Sequence, residues 1–339
     1  MNIFIDTPIY EPGLARLKAL HGVNESIADH IADERVVRPA DQLRDVDALF
    51  CADVPENLSD MKALTWVQIT SSGFEHLIPL DLPARGIRAS NARGVFDAPI
   101  AEWCFAMMVN LARDLPQMYR NQQAGHWDRG AAFQSEIRGR TAGFWGYGGL
   151  ARETARLAKC AGLRVHVLAR NGVGPQQDLY RVPGTGDPDG VLPDEVFGTE
   201  RKDAFLSGLD FLIIALPLND STRGLVTAED LRKLPERALL LNPARGPIIQ
   251  EEALLQALNE DWIAGAALDT HYHYPMPPDH PLWRMPNVIM TPHISGSTKS
   301  TCFPERVWDL FVQNVERMLR GDAPLNELPA EALTPKSTM

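Results

Sequence analysis

The 339-residue chain is short of basic residues: 33 Lys and Arg stand against 44 Asp and Glu, for a net charge of −11. That balance argues against nonspecific binding to nucleic acid or to an anionic membrane, so an anionic ligand must be held by local cations. Long apolar runs are missing too. Nothing approaches the ~18 residues of a membrane span. The N-terminal "MNIFIDTPIY" is a short alternating strand rather than a charged segment followed by an apolar core. Cysteine is scarce. Cys51, Cys104, Cys160 and Cys302 lie far apart and form no CxxC pair, which argues against a disulfide framework and leaves small buried thiols in a reducing compartment. The chain reads as a soluble cytoplasmic protein.

What is present is an apolar fraction of 45%, enough for real cores, and a length that suggests two domains. Strand-like and helix-like segments alternate: "NIFID", a helix over 11–21, "DALFCADV", "LTWVQIT". This pattern indicates an α/β layer structure with a parallel sheet. "APIAEWCFAMMVNLARDL", Ala98 to Leu115, reads as one long buried helix. A second series then starts strands at Thr141, Arg164, Phe211, Ala238, Ile263 and Val288. Six parallel strands are the complement of a doubly wound dinucleotide fold. In the helix after the first of them, Leu150, Thr154, Leu157, Ala158 and Ala161 share one face. Thr227, with Asp230 three residues on, marks a capping box. Residues 171–200, rich in Gly and Pro, read as a long excursion.

"GFWGYGGLA" sets Gly146-x-Gly148-x-x-Ala151 between a strand and a helix. Gly146 permits the tight turn, Gly148 lets backbone approach a pyrophosphate, and Ala151 is small enough for close helix packing. The N–H groups of Gly149 and Leu150 would face phosphates at the helix N-terminus. A plain tight turn is the competing reading. NAD sites usually carry an acid at the end of the next strand, to bind the ribose 2′-OH. Here stand Ala169, Arg170 and Asn171. Arg170 can pair with a 2′-phosphate, so NADP is the expected cofactor, with NAD possible. The excursion leaves from this strand end and is expected to cover the adenosine end of the cofactor or a subunit contact.

"SSGFEHL", "APIAEW", "GYGGLA", "LPLNDSTRGL", "LNPARGPII", "GAALDT", "NVIMTPHISG" and "RGDAPLNEL" occur in that order from about Ile69 to Leu328. This series resembles the D-isomer-specific 2-hydroxyacid dehydrogenase family. The resemblance implies two doubly wound parallel-sheet α/β domains, a Rossmann cofactor domain (101–298) inserted into a flavodoxin-like substrate domain (1–100 and 299–339). It also implies an active site in the cleft and a homodimer built through the cofactor domain. It implies hydride transfer between nicotinamide and a small 2-oxo or 2-hydroxy acid. By resemblance Arg245 binds the substrate carboxylate and polarises its carbonyl, a task suited to a forked guanidinium. His293 is the acid/base. Asp269 holds the nicotinamide carboxamide, the N–H groups of Ser72 and Gly73 help hold the carboxylate, and Thr222 touches the cofactor. Each has a bland alternative, as a salt-bridge arginine, a core histidine or a strand-end cap, but their grouping at strand ends beside a cofactor motif favours chemistry.

One position departs from the pattern. The family usually supplies a glutamate before proline to pair with the histidine; in "LDTHYHYP" Tyr274 stands there, before Pro275. A phenol can orient an imidazole but adds little charge, so His293 should lack a raised pKa. In an extended segment His271 and His273 would point the same way. With Asp279 and His280 they suggest a metal site, but pocket lining is the favoured reading and no metal is expected. Phe74, Phe96, Trp127, Tyr272 and Trp283 are candidate pocket walls. The leading function is an NADP-preferring reductase of a small 2-oxo acid. The alternatives are hydride transfer with a different small anion, or a cofactor-sensing binding protein without turnover.

Overall fold

Three short apolar runs of the first hundred residues, flanked by the edge strands "NESI" and "RAS" that no apolar run marks, become a five-stranded parallel sheet. Its strands are β1 (Asn2–Asp6), β2 (Asn24–Ile27), β3 (Ala48–Cys51), β4 (Trp66–Ile69) and β5 (Arg88–Ser90), in the order β2-β1-β3-β4-β5. The computed structural model describes residues 1–28, 36–130 and 134–335. The sheet belongs to a first unit formed by Met1–Phe96, Gln177–Val182 and Lys299–Met339. Burial on both faces explains why β3 and β4 are apolar nearly throughout. One face packs on the helix Cys302–Leu319, where Phe311 stacks on Phe50 with ring centroids 4.0 Å apart.

The second unit, Asp97–Gln176 and Pro183–Thr298, holds a seven-stranded parallel sheet. Its strands are β6 (Thr141–Trp145), β7 (Arg164–Leu168), β8 (Glu195–Phe197), β9 (Phe211–Ile214), β10 (Leu239–Asn242), β11 (Gly265–Leu268) and β12 (Val288–Met290). The order β12-β11-β10-β9-β6-β7-β8 reverses between β6 and β9, the topological switch point of a doubly wound sheet. Six strands fall where the apolar runs put them. The seventh, β8, comes out of the excursion and pairs with β7.

Three local expectations change. The helix begun at Asp97 ends at Ala112, and a second one, Leu115–Gln123, starts after Asp114 at φ 44°. Pro116 explains the break, because proline is tolerated in a helix's first turn and not in its interior. On the helix Gly149–Cys160 the buried face is Ala151, Thr154, Ala155 and Ala158 together with Arg152 and Glu153, while Leu150 and Leu157 are only partly buried. Gln177–Val182, expected to stay with the cofactor domain, joins the first unit. There Tyr180 is buried, donating its N–H to Asn326 Oδ1 at 3.0 Å and its hydroxyl to Asp309 Oδ2 at 3.1 Å. The Thr227 capping box forms with both reciprocal bonds.

Candidate active site

Parallel strands end on one edge, so residues just past them become neighbours without being close in sequence. Along that edge of the second unit stand His293 after β12, Asp269 after β11, Arg245 after β10, the glycine turn after β6 and Arg170 after β7. Ligands of open α/β sheets bind outside these carboxyl ends.

Asp269 is the fixed point of the group. It is fully buried, and its carboxylate accepts from Thr291 Oγ1 (2.6 Å), Ile294 N (3.0 Å), Ser295 N (3.1 Å) and Ser295 Oγ. These four donors fill the lone-pair directions of a carboxylate. The loop from Thr291 to Ser295 is therefore wrapped around Asp269. His293 N–H donates to Asp269 O at 2.8 Å, and His293 is held at φ 57°, a left-handed conformation uncommon for a side-chain-bearing residue. The His293 side chain is thrust outward and exposed. Neither of its ring nitrogens has a hydrogen-bond partner among the described residues. Burial and then the Arg245 guanidinium push its pKa down; Asp269 opposes and His271 adds to the fall.

Arg245 is half-buried. Its one side-chain hydrogen bond, Nη1 to Ala244 O at 2.7 Å, leaves most of its fork unspent. No carboxylate pairs with it among the described residues. A partly desolvated guanidinium with free donors has the chemistry to bind a carboxylate.

Tyr274 stacks obliquely against His293, with ring centroids 5.6 Å apart. Its hydroxyl is spent elsewhere, accepting from His271 N at 3.2 Å. His271 and His273 do not share a face, because the segment bends instead of running extended. His271 is buried, with Nε2 2.8 Å from Thr291 O, so Nε2 carries a proton. His273 is exposed, 3.9 Å from Glu251, and Glu251 pairs with His280 at 2.8 Å. No cluster of three or more His, Cys, Asp or Glu able to hold a metal occurs among the described residues. Thr291 and Ser295 were not singled out as site residues, and His271 was read as pocket lining rather than as a partner of the Thr291 carbonyl. The hydroxyls flanking "TPHIS" were the available signal. Of the expected pocket walls, Trp127 is 86% and Trp283 52% exposed.

The glycine turn fits a dinucleotide. Gly146 has φ 94°, and a Cβ there would lie 2.6 Å from Ala215 O at the end of β9, so only glycine is tolerated at the switch point. Gly148 is the N-cap of the helix Gly149–Cys160 and has no side chain to cap its first turn. A Cβ on Gly149 would run into the Asp97 carboxylate. Arg170 is exposed and makes no ion pair among the described residues. Thr222 closes its own loop, donating to Pro217 O at 2.6 Å and accepting from Asn219 N at 2.8 Å.

Ser72 and Gly73 stand in the first unit, on the loop after β4. Ser71 Oγ donates to Gly73 O at 2.7 Å and Asn91 Nδ2 to Ser72 O at 2.7 Å. The carbonyls are thus tied down, while the two N–H groups have no acceptor among the described residues.

Residues 105–295 match the family model "D-isomer specific 2-hydroxyacid dehydrogenase, NAD binding domain". A glyoxylate reductase of Thermofilum pendens is 30% identical, over 95% of this chain and 93% of that protein. A D-isomer specific 2-hydroxyacid dehydrogenase of Xanthobacter autotrophicus Py2, solved with NADPH and MES, has a TM-score of 0.74 at 25% identity, covering 98% of this chain and 100% of that one. An NADPH-dependent glyoxylate/hydroxypyruvate reductase of Sinorhizobium meliloti, solved with citrate, has a TM-score of 0.70 at 25% identity, covering 97% and 98%. The chain belongs to the D-isomer specific 2-hydroxyacid dehydrogenase family, whose chemistry is hydride transfer between a nicotinamide cofactor and a small 2-oxo or 2-hydroxy acid.

Proposed function

We infer that the protein is an NADPH-preferring reductase of a small 2-oxo acid of the glyoxylate and hydroxypyruvate class. One observation carries the reading: a half-buried guanidinium, Arg245, with no carboxylate of its own, stands at a strand end beside the unpartnered imidazole of His293. Arg245 binds the substrate carboxylate and polarises the adjacent carbonyl. When bound, the nicotinamide supplies the hydride that reaches the carbonyl carbon. His293, as imidazolium, gives its proton to the carbonyl oxygen, which leaves a 2-hydroxy acid and a neutral imidazole. Exposure of the ring lets it regain a proton from solvent.

Asp269, its carboxylate already filled by four donors, acts by holding the His293 loop, and Thr222 is proposed to contact the cofactor from its own loop. Gly146, Gly148, Gly149 and Leu150 would cradle the pyrophosphate, and Arg170 would read a 2′-phosphate. Tyr274 takes the glutamate's place beside His293 through ring contact. A homodimer through the helix that follows Asp97, in the cytoplasm, completes the proposal; among the described residues no helix is long and apolar enough to cross a membrane.

The test is kcat/KM for glyoxylate, hydroxypyruvate and pyruvate with NADPH and with NADH. Reduction with NADPH favoured supports the reading, and no turnover with any pair overturns it. Arg245→Ala should lower kcat/KM by about 30-fold or more, the usual consequence of truncating one partner of a desolvated charge pair. Cofactor binding should survive, and Arg245→Lys should recover only part of the loss. Near-normal kcat/KM in Arg245→Ala would remove the carboxylate role.

A further inference from the structure

The excursion that leaves the sheet just past Arg170 returns to the glycine turn and is fastened there by buried polar side chains. Arg152, on the first turn of the helix Gly149–Cys160, is 4% exposed. Its guanidinium reaches three carbonyls on three segments: Tyr147 O in the turn (3.2 Å), Gly174 O where the excursion begins (2.7 Å), and Asp187 O where it returns. The Asp187 side chain, 3% exposed, accepts from Tyr147 Oη at 2.9 Å and from Val191 N and Leu192 N, both at 3.0 Å. Neighbouring Glu153 accepts from Gly186 N at 2.6 Å. The two legs of the excursion also bond to each other, Gln176 N to Pro188 O at 2.9 Å.

Buried charge of this kind is costly unless every group is matched, and here the matching runs through residues that the fold alone does not require to meet. Tyr147 lies between Gly146 and Gly148. Any rotation of its backbone moves the N–H groups of the phosphate turn. Gly174 lies four residues past Arg170, so its anchoring fixes the loop that presents that arginine. A dinucleotide must meet both features at once, and affinity rises when they are held in register before it binds.

We propose that Tyr147, Arg152 and Asp187 are positioning residues for the dinucleotide: they lock the pyrophosphate turn to the loop after Arg170 and so set affinity for the 2′-phosphorylated cofactor. The inference rests on the cofactor reading above but concerns residues that touch no substrate. Burial, followed by the Asp187 carboxylate, pushes the Tyr147 phenol well up, so it remains a donor across the working range.

The experiment measures Kd for NADPH and NADH by nicotinamide fluorescence on the full chain, with steady-state kinetics alongside, for wild type, Tyr147→Phe, Asp187→Asn and the double variant. Loss of one buried hydrogen bond predicts a rise in NADPH Kd of about three- to tenfold. The NADH Kd should rise less, because Arg170 has no 2′-phosphate to meet. kcat at saturating cofactor should stay near wild type, and the double variant should raise Kd by less than the product of the single effects because the two groups share one bond. Tyr147→Phe keeps the ring and its packing, so it carries the test even if Asp187→Asn folds poorly. Wild-type Kd values in Tyr147→Phe, or a fall in kcat with Kd unchanged, would overturn the proposal. If the wild type binds neither dinucleotide, the cofactor reading itself fails, and the positioning role with it.

Discussion

Tyr274→Glu puts a carboxylate where the family pattern places one, and its effect can be sized from the ring geometry. The Tyr274 and His293 centroids lie 5.6 Å apart. A unit charge at about that distance from an imidazolium gains ~0.7 kcal/mol in water and ~3 kcal/mol at an effective dielectric of about 20. Tyr274 is 59% exposed, so the water-like end applies and salt trims it further. The expected rise in the His293 pKa is about half a unit or less, since one unit corresponds to about 1.4 kcal/mol. In the wild type that pKa is lowered, first by burial and then by Arg245. Reduction draws on the imidazolium, so reductive kcat/KM should fall as pH rises through a value below the usual ~6.5 of histidine. Oxidation needs the neutral ring and should be at its plateau by neutral pH. Tyr274→Glu should move the reductive limb upward by the stated amount. Tyr274→Phe, which removes only the acceptor for His271 N–H, should leave the limb in place. The assay is kcat/KM against pH in both directions for the three forms. A wild-type reductive limb well above neutrality would show that another group supplies the missing charge and would refute the reasoning.

Arg170→Ala should narrow the ratio of kcat/KM for NADPH over NADH by about tenfold, one charged contact with the 2′-phosphate; a wild-type preference for NADH would contradict the assignment. Asp269→Asn turns an NH2 group toward donors that now point at a carboxylate, which should lower the melting midpoint by several degrees and reduce kcat by freeing the His293 loop. An unchanged midpoint with unchanged kcat would remove that role. Gly146→Ala forces a Cβ within 2.6 Å of Ala215 O at φ 94° and should raise cofactor Kd by about tenfold or more; titration of the variant against NADPH measures this.

The second unit was legible because parallel strands buried on both faces must be apolar, as "FLII" and "GAAL" are. The strand-end residues followed from motif order. β8 was missed because it has three residues, set among Gly and Pro, with only Phe197 buried. Nothing in "QDLYRV" has a period that would assign it to the first unit; Tyr180 is held there by Asn326 and Asp309, contacts distant in sequence. Opposite facings of His271 and His273 were hidden because a bend erases the alternation that a strand would impose. The Tyr147–Arg152–Asp187 fastening was invisible for a related reason. A helix that buries Arg152 and Glu153 looks amphipathic with those two on its wet side until the excursion covers them.

The central claim is hydride transfer to a 2-oxo acid, and the most direct measurement follows the hydride itself. The protein would be incubated with NADPH carrying deuterium at the transferable C4 position and with glyoxylate or hydroxypyruvate, and the product analysed by mass spectrometry. The account predicts a 2-hydroxy acid with one deuterium at C2, formed by the wild type and strongly diminished in Arg245→Ala. Binding of NADPH with no deuterated hydroxy acid from either substrate would contradict it.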